Sequence, residues 1–192
     1  MDYEMFLERN PASSKVVHFT NDELSKLVSA KLPDELLHFF KTFGRCTFAN
    51  GFLSAIHPDD IDSEAIFKAW GFKKGPYNIF LKTCFGVVIY YHKGGYYYLN
   101  PHLGVYNLMA IDFDSLINYA LRSNLMIKNV FRYDIYMAHL KSLPKLKEDE
   151  IYMLVPAIPL GGSFETSKFE HGKAFEHLCF LAELYDNKAK KL

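Results

Sequence analysis

Apolar positions recur at helical spacing in the first third of the chain and again at its end. Between them lie short runs rich in aromatic and β-branched residues. Met1–Arg9 reads as a short helix ended by Asn10-Pro11. Thr20-Asn21-Asp22-Glu23 has the form of a capping box and starts a helix to about Ala30. Pro33 suits the first turn of the next helix and Gly44 its C-terminal cap, with Leu36, Leu37, Phe40 and Phe43 as the buried stripe. A strand is expected over Gly51–Ile56, then a helix from Asp62 or Ser63 to Trp70, stopped by Gly71. Tyr77–Thr83, Phe85–His92 and Tyr96–Leu99 read as strands, with Gly94-Gly95 as the hairpin turn between the last two; Tyr106–Ala110 adds a fourth. Helices are expected from Asp112 or Asp114 to about Ser123 and over Asn129–Ser142. A short strand follows at Ile151–Val155, a loop at Gly161–Ser167, and a closing helix over Glu170–Lys188. On that last helix Ala174, Phe175, Leu178, Leu181, Ala182 and Tyr185 share one face, and the tail Lys188–Leu192 is expected to fray. Helices, then a meander of strands, then helices define an α+β fold with a central antiparallel sheet.

Composition adds a substantial core and removes some functions. Hydrophobic residues make up 49% of the 192, including 17 Phe and 13 Tyr, enough for a core without disulfides or metal. Lys+Arg and Asp+Glu are both 22, so the net charge is zero, which argues against a general binder of nucleic acid or anionic membrane. Cys46, Cys84 and Cys179 are odd in number and far apart, matching neither a disulfide framework nor a zinc site. The N-terminus has no signal-peptide pattern, and the longest apolar stretch, near Cys84–Tyr91, is too short to span a bilayer; a cytoplasmic location is expected.

Four groups of residues carry candidate chemistry. His57-Pro58-Asp59-Asp60-Ile61-Asp62 puts one imidazole beside three carboxylates, but the spacing fits no established metal motif and suits a loop and helix cap. Asp59, Asp60, Asp62 and Glu64 also form an acidic stretch that would attract a basic partner. Gly161-Gly162-Ser163 lacks the lysine and helix start of a phosphate loop and reads as a tight turn. His139, His171 and His177 have no nucleophile in an elbow motif to serve. Tyr90, Tyr91, Tyr96, Tyr97 and Tyr98 surround the hairpin; alternation sets Tyr96 and Tyr98 on one face and Tyr97 on the other, where it could contact a protein or stack on bases.

Two segments taken together resemble one family. The first is Leu32-Pro33-Asp34-Glu35-Leu36-Leu37-His38-Phe39-Phe40-Lys41-Thr42-Phe43-Gly44, running on to Gly51-Phe52-Leu53-Ser54-Ala55-Ile56-His57-Pro58-Asp59-Asp60. The second is Glu150-Ile151-Tyr152-Met153-Leu154-Val155-Pro156-Ala157-Ile158-Pro159-Leu160-Gly161-Gly162, followed by His177-Leu178-Cys179-Phe180-Leu181-Ala182-Glu183-Leu184. The pattern is similar to the bacterial GAD-like domain followed by the C-terminal domain of immunity proteins against type VI secretion DNase toxins. Leu-Gly-Gly after Val-Pro-Ala is its most specific element, and the first 31 residues match only weakly. The resemblance implies a GAD-like region over residues 1–105 and an immunity-protein region over 106–192, sharing a core. It implies a protein that binds a cognate toxin by stoichiometric occlusion, with no catalytic residue, cofactor or metal, and no nucleic-acid or membrane partner. Asp59, Asp60, Asp62, Glu64 and Tyr97 are the expected toxin contacts. The rival readings are a small ligand- or metal-binding domain or enzyme with a cleft near His57 and Asp59, and a nucleic-acid-binding module using the tyrosine hairpin.

Overall fold

A computed structural model describes residues 2–189; the end of the tail expected to fray, 190–192, lies outside the described residues. The chain opens with α1 (Glu4–Arg9), α2 (Asn21–Ser29) and α3 (Asp34–Phe43). The capping box forms: the Thr20 hydroxyl accepts from the Glu23 N–H at 3.3 Å, and the Glu23 carboxylate accepts from the Thr20 N–H at 2.7 Å. On α3 the buried residues are Leu36, Phe39, Phe40 and Phe43, so Phe39 replaces the expected Leu37. Phe39 packs against Tyr3, Phe6, Phe40, Phe43, Phe80 and Phe113 and is the hub of the aromatic core. Helical periodicity allowed either neighbour, and the packing partners chose the ring.

Gly44 ends α3, donating its N–H to the Phe40 carbonyl at 2.8 Å. Its φ of +50° turns the chain so that Arg45 and Val17 exchange two backbone hydrogen bonds of 2.9 Å. A six-stranded antiparallel sheet follows in plain sequence order: β1 (Cys46–Phe48), β2 (Leu53–Ala55), β3 (Asn78–Thr83), β4 (Val88–His92), β5 (Gly95–Asn100) and β6 (Val105–Ala110). β1 has only three residues, too few to announce themselves by alternation. The β4–β5 turn sits one residue earlier than expected. His92 pairs with Gly95, and Lys93 and Gly94 are the central residues, with φ of +46° and +83° as a two-residue hairpin requires. α4 (Ser63–Ala69) lies between β2 and β3, with the Asp62 carboxylate accepting from the Ala65 N–H at 3.0 Å.

Beyond the sheet, the helix expected from Asp112 or Asp114 runs through a widened π-type turn, Ser115–Tyr119, and ends in a tight turn, Ala120–Arg122. The helix expected over Asn129–Ser142 is broken. A second widened turn covers Met126–Val130, Arg132 takes a left-handed φ of +61°, and α5 covers Tyr133–His139. β7 (Glu150–Val155) then pairs with β8 (Lys168–Lys173) in a separate two-stranded sheet. The closing helix starts later than the expected Glu170. Residues from Glu170 belong to β8, and α6 begins at Ala174 and runs to Ala189. Six ladder pairs with β7, across the 156–167 connection, outweigh the modest helical preference of Lys-Phe-Glu-His-Gly-Lys, whose Gly172 weakens a helix in any case.

The core has two parts, one on each face of the sheet. The larger, around Phe39, Phe80 and Phe85, reaches Phe113, Leu116, Tyr136 and Tyr152. The smaller places Ile79, Val88, Tyr90 and Leu99 under Ile66 and Phe67 of α4 and Leu178 of α6. Trp70 Nε1 donates to the Leu178 carbonyl at 3.1 Å, tying α4 to α6. The sheet is continuous across positions 105 and 106, since β6 pairs with β5 along its length. The α+β class and antiparallel meander read from the sequence are those observed.

Candidate functional site

The second face of the sheet is covered by α4 and α6 only over β3–β5. Over β1–β3 it forms the floor of an open groove of about 1350 Å³. Pro11–Lys15 forms one wall and Leu143–Asp149 the other, so both halves of the chain contribute. Cross-strand register sets the floor. Thr47 is opposite Ser54 and Ser54 opposite Lys82, and since Phe48, Leu53 and Leu81 point to the larger core, these three point away from it. Lys82 is only 5% exposed and donates to the Glu150 carbonyl at 3.1 Å; burial lowers its pKa. Cys84 lies beside it, its thiol pushed well up by burial and therefore held as an unreactive neutral group.

The acidic stretch lies at one end of this groove, where Asp60 and Asp62 are lining residues. Its charges are largely matched. Arg45 binds both oxygens of Asp60, through Nε at 2.8 Å and Nη2 at 2.5 Å, and reaches Glu23 at 2.7 Å, with its guanidinium over the Phe19 ring. Lys26 pairs with Asp59 at 2.9 Å and Lys74 with Glu64 at 3.7 Å. Asp62 caps α4. The Arg45 hydrogen bond, with the Thr20 backbone N–H, holds the Glu23 carboxyl down to about 2. This network fastens α2, the start of β1 and the Pro58–Asp60 turn together. Replacing Arg45 with Met is expected to lower stability by about 2 kcal/mol at pH 7. A depressed carboxylate stabilises above its unfolded value and stops doing so as pH falls, so the gap between variant and wild type should narrow from pH 4.5 towards 2. Urea midpoints across that range check both.

His57 is 1% exposed and committed to the fold: Nδ1 accepts from the Asp59 N–H at 3.1 Å and Nε2 lies 3.3 Å from the Glu23 carbonyl. Among the described residues, no group of three or more His, Cys, Asp or Glu is arranged to hold a metal ion. Tyr97 is half-buried, stacked on Tyr90 with ring centroids 5.6 Å apart, while Tyr96 lies on the opposite face beside Phe80 and Phe113. His139 lies against Phe169 and His171 faces Glu150 at 3.5 Å, on different elements from His177. His177 instead meets His102, which is fully buried, at 5.9 Å between ring centroids. Sequence reasoning passed over Lys82 and His102. A lone cation inside Ile79-Phe80-Leu81-Lys82-Thr83 was the available signal for the first; His102 sits in a turn that gave none. Gly161 and Gly162 form the expected tight turn, with φ of +92° at Gly161, and a Cβ on Gly162 would lie 1.8 Å from the Pro156 carbonyl oxygen.

Residues 112–185 match the family model described as T6SS immunity protein Tdi1, C-terminal. The immunity-family resemblance read from the sequence is borne out over that span. Among solved structures the chain is similar to the crystal structure of Atu4351 from Agrobacterium tumefaciens, at 17% identity and a TM-score of 0.72, covering 95% of this chain and 89% of that one. At that identity the likeness is one of fold. No curated protein matches the chain. Among the described residues no helix is long and apolar enough to cross a membrane.

Proposed function

We propose that this protein is a cytoplasmic immunity protein that binds a cognate type VI secretion toxin of the nuclease class and neutralises it by stoichiometric occlusion. The match of residues 112–185 to the immunity family carries the reading. Several features support a binding role over a catalytic one. His57 is spent on backbone contacts, which leaves the ligand- or metal-site rival without its imidazole. The hairpin tyrosines are packed against one another and the core, which leaves the nucleic-acid rival without a free stacking platform. The groove, walled by both halves, offers a partner a concave surface.

Asp59, Asp62 and Glu64 are proposed contacts at the rim and Asp60 a residue that shapes it. Ion pairing with Lys26, Arg45 and Lys74 reduces the field they project, so their part in steering is small. Tyr97 is proposed only for the portion of its ring left exposed at the hairpin.

The test is capture from the native cells with the tagged chain, identified by mass spectrometry, followed by co-expression. One stoichiometric partner with a secretion or nuclease domain, whose growth arrest is relieved by this chain, is the expected result. A captured toxin whose arrest is not relieved would refute neutralisation, and no partner from cells expressing candidate toxins would refute the reading itself.

A further inference from the structure

The groove floor is chemically one-sided. Neighbouring strands lie ~4.8 Å apart, so Thr47, Ser54 and Lys82 set two hydroxyls and an ammonium in a row across ~10 Å. The ammonium has three N–H donors, and one is used, on the Glu150 carbonyl. The other two have no protein acceptor among the described residues, and neither do the Thr47 and Ser54 hydroxyls. Asp149 and Glu148 are both near enough to act on Lys82 through space, but neither is its hydrogen-bond acceptor, and Asp149 is paired with Lys173 at 3.5 Å. The rim is mixed in sign, with Lys15 and Lys145 set against Asp62, Glu148 and Glu176. Of the three floor residues only Lys82 is charged. A buried ammonium with open donors carries a desolvation cost that an arriving anionic oxygen would offset.

The size of the groove narrows the occupant. Pockets for small molecules measure roughly 300–1,000 Å³; this groove is larger, open along its length and walled by two distant parts of the chain. Those features fit a length of polypeptide. We infer that the groove seats a segment of the toxin which places an Asp or Glu carboxylate on Lys82, with Ser54 and Thr47 donating to the same segment. The inference rests on the immunity reading and names the part of the surface, and the chemistry, through which it works. Lys82 is the anchor on the floor, which a seated segment would close off from water and where a charged hydrogen bond then counts most; the paired charges at the rim count least.

The experiment compares the full-length wild type with Lys82→Met, Lys82→Arg and Ser54→Ala, using the toxin captured by the wild type. Met keeps the apolar stem and removes the buried charge, so Lys82→Met is expected to melt at or above the wild-type temperature while binding the toxin at least about 30-fold more weakly. Lys82→Arg should retain part of the affinity and Ser54→Ala should lose a few-fold. In the wild-type complex, a zero-length carbodiimide cross-link should join Lys82 to an Asp or Glu of the toxin. If the wild type binds a toxin and Lys82→Met binds it equally well, the anchor is wrong and the immunity reading stands. If the wild type captures no toxin, both fall. If inorganic phosphate raises the melting temperature of the wild type but not of Lys82→Met, and toxin affinity is unchanged, the site belongs to a phosphate ligand and the inference is overturned.

Discussion

Gly44→Ala is expected to cost about 4 kcal/mol of stability, from backbone strain and a collision together. Gly44 has φ +50° and ψ −133°, a conformation that side chains with a Cβ rarely adopt. The added carbon would also sit 2.2 Å from the Val17 carbonyl oxygen and 2.9 Å from its carbon. Neither atom can swing aside. Val17 is held by the two backbone hydrogen bonds it exchanges with Arg45, the residue immediately after the glycine. Relief would require pulling the 11–17 segment off β1, or turning the end of α3 and with it the buried Phe43. Gly71→Ala separates the two contributions. Gly71 has φ of +78°, but a Cβ there would meet nothing within 4 Å, so only strain remains and a loss of about 1 kcal/mol is expected. Urea unfolding of both variants checks this, with a fall in melting temperature of roughly 10 °C for Gly44→Ala in a chain of this size. Equal losses for the two would show that the close approach of Val17 is soft.

The second large effect is loss of stability in mild acid, traceable to His102 and His177. Both rings are buried where the turn after β5 meets α6. His102 Nε2 lies 2.7 Å from the Phe85 carbonyl, while its Nδ1 and the Nε2 of His177 have no partner among the described residues. Burial pushes each down to about 4, with proximity to His177 adding to the effect on His102. In the unfolded chain a histidine titrates near 6.5. As pH falls through 6.5 the unfolded state takes up protons that the folded state refuses. Full stability is therefore present above that value and is lost progressively down to about 4. For two such groups the loss reaches about 3 kcal/mol each by the lower end. The carboxylate network around Arg45 acts in a lower window, so the two contributions separate in pH. Urea midpoints between pH 7.5 and about 4 should fall steadily for the wild type, and His177→Phe should remove close to half of the slope. A flat profile for the wild type would show that the rings are not held neutral by the fold. The position matters: Tyr185 of α6 donates to the His102 carbonyl at 2.5 Å, so this corner fastens the closing helix to the sheet.

What could be read from the sequence is what local chemistry decides. Thr20 and Glu23 cap their helix wherever the helix points, and Gly44 ends α3 with a positive φ that favours glycine. Strands were legible at five of the six places the sheet uses, short only of β1, and Val-Pro-Ala followed by Leu-Gly-Gly marked a tight turn and lies within the span that matches the immunity-family model. Of the candidate site, the acidic stretch was visible in the sequence and the groove was not. That stretch was legible as a surface feature, but its place at the end of a groove was not, and its charges looked free because Arg45, Lys26 and Lys74 are remote in sequence or lie on other elements.

The remainder was settled by packing between distant segments. Lys-Phe-Glu-His-Gly-Lys becomes β8 because β7 offers it a ladder. Phe39 displaces Leu37 from the buried stripe because Phe80 and Phe113 come to meet it. Lys82 becomes a buried cation because one half of a sheet face is covered by α4 and α6 while the other is left as a groove floor. Periodicity and caps are properties of a few successive residues and survive in the bare sequence. Burial, pairing of charges and the shape of a groove depend on which surfaces meet, and only the folded chain decides that.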